Sequence, residues 1–427
     1  MGKPTTETRQ ANSPAINVVG ANDRIVLGVV GLGFGWGQNH LIGIQQNAKE
    51  NNVTIATACD VFDLRRAWAL KSADLKEADV YLDYRRMLER KDIDAVLVAT
   101  HDPLHAQISL DSLDAGKHVY CERPLSRYLG EAFQVSDKVK SSRKVFQLGE
   151  QSCSAGGWRK SAELVNGGKI GTLVWGQADY CRNGGPGCDG CFLVSKEASP
   201  ATVDWKKWLG PLKERPFNAT HFHQWRLYED YSAGLLATAA AHRLHPLMLA
   251  SGNPQFPKRV TCISSHHLPD NPYWPKAVGR QVPAHVELVA EFPAGYLLTV
   301  TCSWLNAKNP APALYGHKAT LAIGGNGERV EILPEKEFEG EVDAEAFTKL
   351  PAEDVREHEK NWFDCIRSEN QPNANIELAI RVQTVLSLAE MSDRLKTTCL
   401  FDETTRKVTD GLGREIAPLT YSDAEDG

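Results

Sequence analysis

Residues 25–37 read Ile-Val-Leu-Gly-Val-Val-Gly-Leu-Gly-Phe-Gly-Trp-Gly, and this stretch decides the fold. Its first six residues form a short β-rich run, and helical periodicity follows over residues 40–49. A strand, a glycine-rich turn and a helix in this order are typical of a dinucleotide site, because backbone N–H groups approach a pyrophosphate at the helix N-terminus. The fingerprint reads Gly31-x-Gly33-x-x-Trp36, with tryptophan where glycine or alanine is usual. Gly35 and Gly37 are candidates to absorb this difference.

The alternation of strands and helices continues from this turn to residue 149. Apolar runs predict strands at 53–59, 94–99, 118–120 and 144–148, and helical periodicity predicts helices at 64–71, 84–90, 104–114 and 130–140. The helical segments have the length of crossovers between parallel strands. Residues 24–149 are therefore predicted to form an α/β domain with a doubly wound parallel sheet.

The pattern changes after residue 150. Longer alternating segments predict strands at 172–181, 286–292, 296–304 and 318–323, and amphipathic helices are predicted at 353–368 and 376–394, the second with a cap near Asn373. This pattern predicts an α+β domain with an open antiparallel sheet over residues 150–427. Residues 1–23 are polar and lack periodicity, which indicates an N-terminal arm.

Composition limits the classes of partner. The 427 residues exceed what one core usually serves, and the net charge of -6 gives no basic surface for nucleic acid. The chain has no apolar run long enough for a membrane span and no secretory signal, and its ten cysteines are scattered. We therefore expect a cytoplasmic protein that binds neither nucleic acid nor membrane.

Asp60 ends the second predicted strand, 27 residues after Gly33. An acid at this position accepts hydrogen bonds from the ribose hydroxyls of NAD and repels the 2′-phosphate of NADP. NAD is therefore favoured over NADP, although Arg65 and Arg66 lie close enough in sequence to weaken the preference.

Two segments resemble the Gfo/Idh/MocA family (glucose-fructose oxidoreductase and inositol dehydrogenase). They are residues 92–106, Asp-Ile-Asp-Ala-Val-Leu-Val-Ala-Thr-His-Asp-Pro-Leu-His-Ala, and residues 115–125, Ala-Gly-Lys-His-Val-Tyr-Cys-Glu-Arg-Pro-Leu. Residues 205–211, 222–226 and 361–367 also look like family signatures. The resemblance implies a Rossmann domain, a sugar, glycoside or cyclitol substrate, and a homo-oligomer, either dimer or tetramer. The cofactor-binding residues that it implies, together with the fingerprint, are Gly31, Gly33, Phe34, Gly35, Trp36, Asp60, Thr100, His101, Pro103, His105, Glu122, Arg123 and Gln151.

The chain departs from the family at two catalytic positions. Relatives use the lysine of a Glu-Lys-Pro motif, together with an aspartate and a histidine four residues apart on one helix face. Here Arg123 replaces the lysine, and Thr238 stands where the aspartate belongs, four residues before His242. Arginine cannot act as a base, so His242 is the predicted acid/base residue and Arg123 the predicted electrophilic group.

Three functions remain open on this sequence. The first is dehydrogenation of a secondary hydroxyl with hydride transfer to NAD(P). The second is redox-neutral, NAD-dependent cleavage of a glycoside with a retained cofactor. The third is an NAD-binding protein with impaired catalysis. The resemblance also indicates sugar contacts in one aromatic segment, at His223, Trp225, Arg226 and Tyr231.

Cys181, Cys188 and Cys191 form an unexpected cluster. Three thiolates fall short of the four ligands of a structural zinc site. We therefore predict no metal and interpret the segment as a glycine-rich loop with free or paired thiols.

Overall fold

The computed structural model describes residues 23–183, 193–266 and 279–423. The first part alternates short apolar strands with helices, as predicted. In chain order its elements are β1 (Ile25–Val30), α1 (Trp36–Gln46), β2 (Val53–Cys59), α2 (Asp63–Ser72), β3 (Val80–Tyr81), α3 (Tyr84–Leu88), β4 (Ala95–Val98), α4 (Asp102–Asp114), β5 (His118–Glu122), α5 (Leu129–Ser142) and β6 (Phe146–Gly149). All strands pair in parallel in the order β3-β2-β1-β4-β5-β6, which confirms the doubly wound sheet.

Strand β4 shows why these strands lack polar alternation. Val96 and Val98 pack into one core with α4 and α5, whereas Ala95 and Leu97 pack into a second core with α1. Both faces of the strand are therefore buried, so every position must be apolar.

The second part of the chain is built on a large sheet. In chain order its elements are α6 (Gly156–Asn166), β7 (Leu173–Cys181), α7 (Trp205–Leu209), α8 (Ala219–Gln224), a π-helix (Leu236–Ala240), α9 (Ala241–Ala250), β8 (Arg259–Ser265), β9 (His285–Glu291), β10 (Leu297–Ser303), β11 (Ala313–Gly316), β12 (Ala319–Gly324), β13 (Arg329–Pro334), β14 (Glu345–Phe347), α10 (Val355–Ser368), α11 (Ile376–Leu395), β15 (Cys399–Asp402), β16 (Lys407–Asp410) and β17 (Glu415–Ile416). The described residues give this sheet the order β14-β13-β12-β11-β7-β10-β9-β8-β15-β16-β17.

This second sheet is antiparallel except for the central pair β7 and β10. A parallel pair needs a long crossover, and the segment between these two strands contains α9 and two further strands. Alternation sets the two faces: in β9, Val286 and Leu288 are buried, whereas Glu287 and Val289 are exposed. The predicted open sheet is confirmed, with one parallel pair that the alternation could not reveal.

Helix α10 joins the two parts of the molecule. Although it follows the second sheet in sequence, its Trp362 and Phe363 belong to the core formed by β1, β4 and α1. The long helix α11 is capped by Asn375, whose side chain accepts from the amides of Glu377 and Leu378, two residues beyond the predicted Asn373. None of the helices in the described ranges combines the length and apolarity that a bilayer crossing requires.

Candidate functional site

A cleft of about 770 Å³ lies at the carboxyl ends of β1, β2, β4 and β5. The loops after these strands form one side of it, and the ends of β7 and β10 form part of the other. Open parallel sheets bind ligands in this position, because the loops on either side of the switch point separate there. We refer to this space as the central cleft.

The glycine-rich turn forms one end of the central cleft. Gly31 has a φ of +89°, and a Cβ atom on it would lie 2.5 Å from the carbonyl oxygen of Ala99. A Cβ atom on Gly37 would lie 2.2 Å from the carbonyl oxygen of Gly31. Gly37 thus provides the close approach of helix and strand that the usual sixth residue provides, one position later. The Trp36 ring instead packs on His40, with ring centroids 5.8 Å apart, which explains the departure from the fingerprint.

The start of α1 fits an anionic group. Gly35 is its N-cap, and its first turn has no acidic side chain. A Cβ atom on Gly33 would meet nothing closer than Arg65 Nη1, at 3.9 Å, so the backbone there is open to the cleft. Phe34 also lines the cleft and is largely exposed. The amides and dipole of this 11-residue helix can stabilise a pyrophosphate.

Asp60 lies at the same end, where β2 stops. Its Oδ2 accepts from the amide of Leu32 at 2.7 Å, and its Oδ1 accepts from the amide of Phe62 at 2.9 Å. Arg65 Nη1 lies 3.7 Å from Oδ2. The carboxylate therefore fixes the glycine-rich turn and faces the cleft, while Arg65 partly neutralises it.

The loop after β4 supplies the middle of the cleft. Thr100 and His101 line it, and the His101 ring stacks on Trp208 with centroids 4.1 Å apart. His105 lies behind them: Nδ1 is 2.7 Å from the carbonyl oxygen of Pro124, and Nε2 is 3.1 Å from that of Thr100. His105 thus links the loops after β4 and β5 and shapes the wall from behind.

Several predicted site residues share this buried position behind the wall. Pro103 and Gln151 are buried, and Tyr231 is 0% exposed, with its hydroxyl 3.0 Å from His221 Nδ1. Their roles as direct cofactor or sugar contacts therefore stay predictions, and the structure gives them a packing role.

The predicted catalytic residues meet two carboxylates that the sequence analysis missed. Arg123 Nε lies 3.0 Å from Glu150 Oε2, and His242 Nδ1 lies 2.7 Å from Glu150 Oε1. His242 Nε2 lies 3.4 Å from Glu353 Oε1. The His242 side chain is 10% exposed, so protons can still reach it. We call Glu150, His242 and Glu353 the carboxylate-histidine cluster.

The charges of this cluster support one another. Burial alone would lower the pKa of His242, but Glu150 and Glu353 outweigh burial and raise it above 6.5. Burial would raise the pKa of Glu150, yet His242 and Arg123 hold it well below its usual value. The pKa of Glu353 is also lowered, since His242 outweighs burial there. The cluster therefore holds an ionised carboxylate on each side of a histidine that binds its proton tightly.

Thr238 lies in the π-helix rather than in an α-helix. Its hydroxyl donates to the carbonyl oxygen of Gly234 at 2.8 Å, and the residue lines the central cleft. The wider turn of a π-helix changes which residues share a face, so the spacing of four no longer pairs Thr238 with His242. Glu150, from the end of β6, supplies the carboxylate beside His242 instead.

A second buried histidine lies between carboxylates, below the glycine-rich turn. His40 Nε2 is 2.8 Å from Glu122 Oε1, and Nδ1 is 2.5 Å from Glu359 Oε1. Burial lowers the pKa of His40, but the two carboxylates outweigh it and raise the pKa to about 9. Glu122 lines the central cleft, so a protonated His40 fixes a predicted cofactor residue. We call Glu122, His40 and Glu359 the His40 cluster.

An aromatic segment covers the central cleft. This segment, residues 202–231, is joined to the parallel sheet by a bridge between Phe62 and Val203. His223 lies 6.3 Å from Phe62 by ring centroids, which places it at the Asp60 end. The Trp225 ring lies 5.9 Å from that of His101, with the Arg226 guanidinium 4.1 Å above it.

Two of the residues predicted to contact the sugar lie in the middle of the cleft. Trp225 and Arg226 both line it, close to the loop after β4. His223 also lines it, but beside the predicted ribose site, so a sugar contact there stays a prediction.

Only one cysteine of the sequence cluster can be placed. Cys181 ends β7 as a buried free thiol, with Sγ 3.9 Å from the carbonyl oxygen of Thr301. Cys188 and Cys191 lie outside the described residues. Burial raises the pKa of the Cys181 thiol, which makes it a poor nucleophile and metal ligand.

Two sequence models of one family match the chain in succession. An oxidoreductase family with an NAD-binding Rossmann fold matches residues 25–150, and the C-terminal alpha/beta domain of the same family matches residues 189–271. Residues 25–150 and 189–271 belong to the Gfo/Idh/MocA oxidoreductase family. The match confirms the predicted Rossmann domain and supports a nicotinamide dinucleotide as its cofactor class.

Relatives within the Gfo/Idh/MocA family differ in what they are named for. An inositol 2-dehydrogenase of Klebsiella pneumoniae subsp. pneumoniae is 30% identical over 146 residues, which are 34% of this chain and 42% of the relative. An alpha-N-acetylgalactosaminidase of Shewanella oneidensis is 30% identical over 161 residues, 36% of this chain and 35% of that protein. The chain thus matches less than half the length of these relatives.

Solved structures share the fold over most of the chain. A levoglucosan dehydrogenase complex with NADH and levoglucosan has a TM-score of 0.66 at 16% identity, over 91% of this chain and 99% of that one. An oxidoreductase domain protein of Kribbella flavida has a TM-score of 0.67 at 19% identity, over 88% of this chain and 98% of that one. At this identity the likeness shows the fold.

Proposed function

We propose that this protein oxidises a secondary hydroxyl of a sugar, glycoside or cyclitol, with NAD as the hydride acceptor. The observation that carries this proposal is the carboxylate-histidine cluster, which lies directly behind Arg123 and Tyr180 in the wall of the central cleft. Arg123 follows β5, whereas the glycine-rich turn and Asp60 follow β1 and β2, so the cluster is on the other side of β4 from that turn and Asp60. The experiment is a panel of sugars, methyl glycosides and cyclitols, assayed with NAD by the absorbance of NADH. If none of these compounds were oxidised, the proposal would be contradicted.

The residues divide the work of this reaction between them. When bound, the nicotinamide supplies the hydride acceptor. His242 Nδ1, 2.7 Å from Glu150, keeps its proton, so the Nε2 lone pair can accept the hydroxyl proton of the substrate. Glu353, 3.4 Å from Nε2, then stabilises the imidazolium that forms. Arg123 is held by Glu150 and stays cationic, which stabilises negative charge that develops on the reacting oxygen.

The pH dependence of oxidation tests this assignment. Only neutral His242 can accept a proton, and its pKa is raised, so kcat/KM should rise with pH through a value above 6.5. Glu150→Gln removes the main charge that raises this pKa. In this variant we expect the rising limb of the profile of kcat/KM against pH to move to lower pH. The plateau of that profile should fall, because Arg123 and His242 lose their shared charged partner.

Glu353→Gln is the matched variant for this measurement. In the native protein Glu353 Oε1 lies 3.4 Å from His242 Nε2, whereas Glu150 Oε1 lies 2.7 Å from His242 Nδ1. The rising limb of the pH profile should therefore move less in Glu353→Gln than in Glu150→Gln. A pH profile that neither variant shifts would show that His242 is not the titrating base.

NAD preference over NADP rests on Asp60. We propose that its carboxylate binds the ribose hydroxyls and repels a 2′-phosphate. Asp60→Asn keeps an oxygen for the Leu32 amide but removes the charge, so the ratio of kcat/KM for NAD to that for NADP should fall by about 10-fold or more. The control is Asp63→Asn at the start of α2, which should leave the ratio unchanged. A native enzyme that uses NADP as well as NAD would contradict the proposal.

A second candidate function is redox-neutral glycoside cleavage with a retained cofactor. The observation that favours it is that the aromatic segment covers the central cleft, because a covered cofactor is more easily retained. The segment is joined to the parallel sheet by the Phe62–Val203 bridge and by the Phe62 and Phe222 rings, 5.5 Å apart. The relative named as an alpha-N-acetylgalactosaminidase gives a precedent within the family. Release of nitrophenol from nitrophenyl glycosides without added NAD and without NADH formation would support this function. NADH formation in step with product would reject it.

We also propose a homo-oligomer located in the cytoplasm. Ile263, Val289 and Leu333 are exposed apolar side chains on the second sheet, and a self-complementary contact could cover them. Light scattering of the purified protein measures the oligomer, and a monomer at micromolar concentration would contradict it.

A further inference from the structure

Three arginine side chains converge on Tyr180, whose ring lies 5.7 Å from that of His242 in the carboxylate-histidine cluster. The guanidinium carbons of Arg182 and Arg243 lie 4.7 Å and 5.0 Å from the centre of the Tyr180 ring. Arg123, Arg182 and Tyr180 all line the central cleft. The three arginines favour the ionised phenol, although burial outweighs them and raises the pKa of Tyr180.

These arginines differ in how their charge is balanced. Arg123 is paired with Glu150, and Arg243 Nε donates to the backbone carbonyl of Asp179 at 3.0 Å. Within residues 23–183, 193–266 and 279–423, neither Arg182 nor Arg243 forms an ion pair with a carboxylate. The carboxylates near Arg123 face other groups as well: Glu150 and Glu353 face His242, and Glu122 faces His40. Asp179 is the carboxylate near Arg243. Among the described residues, Arg182 is therefore a cleft-lining guanidinium that is not paired with a carboxylate.

The pairing of β7 with β10 positions Arg182. The strands run parallel with Tyr180 opposite Cys302, so Arg182 and Trp304 emerge side by side at their carboxyl ends. The amide of Arg182 donates to the carbonyl oxygen of Ser303 at 2.8 Å. Trp304 lines the cleft and is 3% exposed, and its indole N–H has no acceptor in the described part of the chain. Two donors thus lie together without an acceptor among the described residues.

We propose that the substrate is an acidic sugar and that Arg182 binds its carboxylate. The inference rests on the proposed oxidation of a sugar hydroxyl and names the class of sugar. A guanidinium stacked on an aromatic ring is held in one plane and presents parallel N–H donors, which match the two oxygens of a carboxylate. The indole N–H of Trp304 can donate to the same group. The Arg182 guanidinium then has its counterion in the substrate.

The first test compares matched pairs of substrates. Methyl glucuronide and methyl galacturonide are each assayed against the corresponding neutral methyl glycoside, with NAD. We expect kcat/KM to be about 10- to 100-fold higher for the acidic member of the productive pair, which is the range of one charge-assisted hydrogen-bond pair. An equal or higher kcat/KM for the neutral glycoside would overturn the inference. Sulfated and phosphorylated methyl glycosides are assayed in parallel, and a higher kcat/KM for either of them than for the uronides would also overturn it.

The second test removes the guanidinium. Arg182→Gln should raise KM for the acidic sugar by about 10- to 100-fold with a smaller change in kcat, and Arg182→Lys should restore part of the loss. The control is Arg159→Gln on the exposed face of α6, which should change neither constant. An unchanged KM in Arg182→Gln would overturn the inference.

A binding measurement separates this inference from the proposed function. Quenching of tryptophan fluorescence by glucuronate and galacturonate, with NAD present, reports binding whether or not a sugar is oxidised. Binding that is lost in Arg182→Gln but yields no NADH would support the acidic sugar and reject the dehydrogenase. Oxidation of neutral sugars without binding of uronates would reject the acidic sugar alone.

Discussion

Replacing His242 by glutamine should lower kcat for sugar oxidation by about 10²- to 10⁴-fold, while the Kd for NAD stays within about twofold. Glutamine keeps a polar side chain between Glu150 and Glu353 but cannot accept the hydroxyl proton. Cofactor binding should persist because the glycine-rich turn and Asp60 follow β1 and β2, whereas His242 lies beside Glu150 and Arg123, which follow β6 and β5. Steady-state kinetics and fluorescence titration with NADH measure the two quantities.

His285→Gln is the matched control for this variant. His285 also lies beside a carboxylate, with Nε2 3.1 Å from Glu287 Oε1, but on the exposed face of β9. Its kcat should equal that of the native enzyme. If His242→Gln retained native kcat, another group would have to accept the proton, and the mechanism proposed above would be wrong.

Local sequence patterns predict five of the six strands of the parallel sheet; they miss the two-residue edge strand β3, and the helix predicted at 40–49 begins four residues after the start of α1. The predicted strand at 53–59 is β2. The helix predicted at 64–71 is one residue shorter than α2 at each end, and the helix predicted at 376–394 ends one residue before α11. These elements are defined by short-range periodicity and by turn residues, which act within a few positions. The parallel pairing of β7 with β10 depends on contacts between segments more than a hundred residues apart, so alternation alone could not predict it.

Side chains that meet only in the folded chain explain most of what the sequence missed in the site. Glu150 and Glu353 are about two hundred positions apart, yet both face His242. Neither belongs to a motif with a recognisable spacing. The family motif points to His242 and Arg123, which both contact Glu150, but it assumes an α-helix where this chain has a π-helix at Thr238. A missing aspartate at Thr238 was the available signal that the carboxylate comes from another element.

The glycine-rich turn departs from the fingerprint in a way that, in contrast to Glu150 and Glu353, could be recognised from the sequence. Its departure at Trp36 was visible in the sequence, and so was the candidate Gly37 that compensates for it. Choosing between Gly35 and Gly37 required coordinates, because only the distance from a Cβ atom on Gly37 to Gly31 shows which glycine is packed against the strand.

The His40 cluster should make the largest single contribution to stability among the ion pairs described. His40→Leu removes the cation between Glu122 and Glu359. Arg356 still pairs with Glu359, but the buried Glu122 loses the charged partner that it contacts. We expect the free energy of unfolding to fall by about 3 to 5 kcal/mol, as is usual when one member of a buried charge pair is lost. Urea unfolding followed by circular dichroism measures this difference. The surface variant Lys360→Leu, which removes one partner of the exposed pair with Asp364, should cost less than about 1 kcal/mol.

The pH dependence of unfolding identifies the charge on His40 as the cause. The pKa of His40 is raised from 6.5 to about 9 in the folded protein, so its stabilising contribution is fully present below pH 6.5 and is lost as pH rises through 9. Between these values the unfolded chain releases a proton that the folded protein retains, and stability should fall by about 3 kcal/mol in total. His40→Gln keeps a polar side chain but cannot titrate, so this fall should be absent in that variant. An equal fall in the native protein and in His40→Gln would assign it to other groups and contradict a protonated His40 in the folded state.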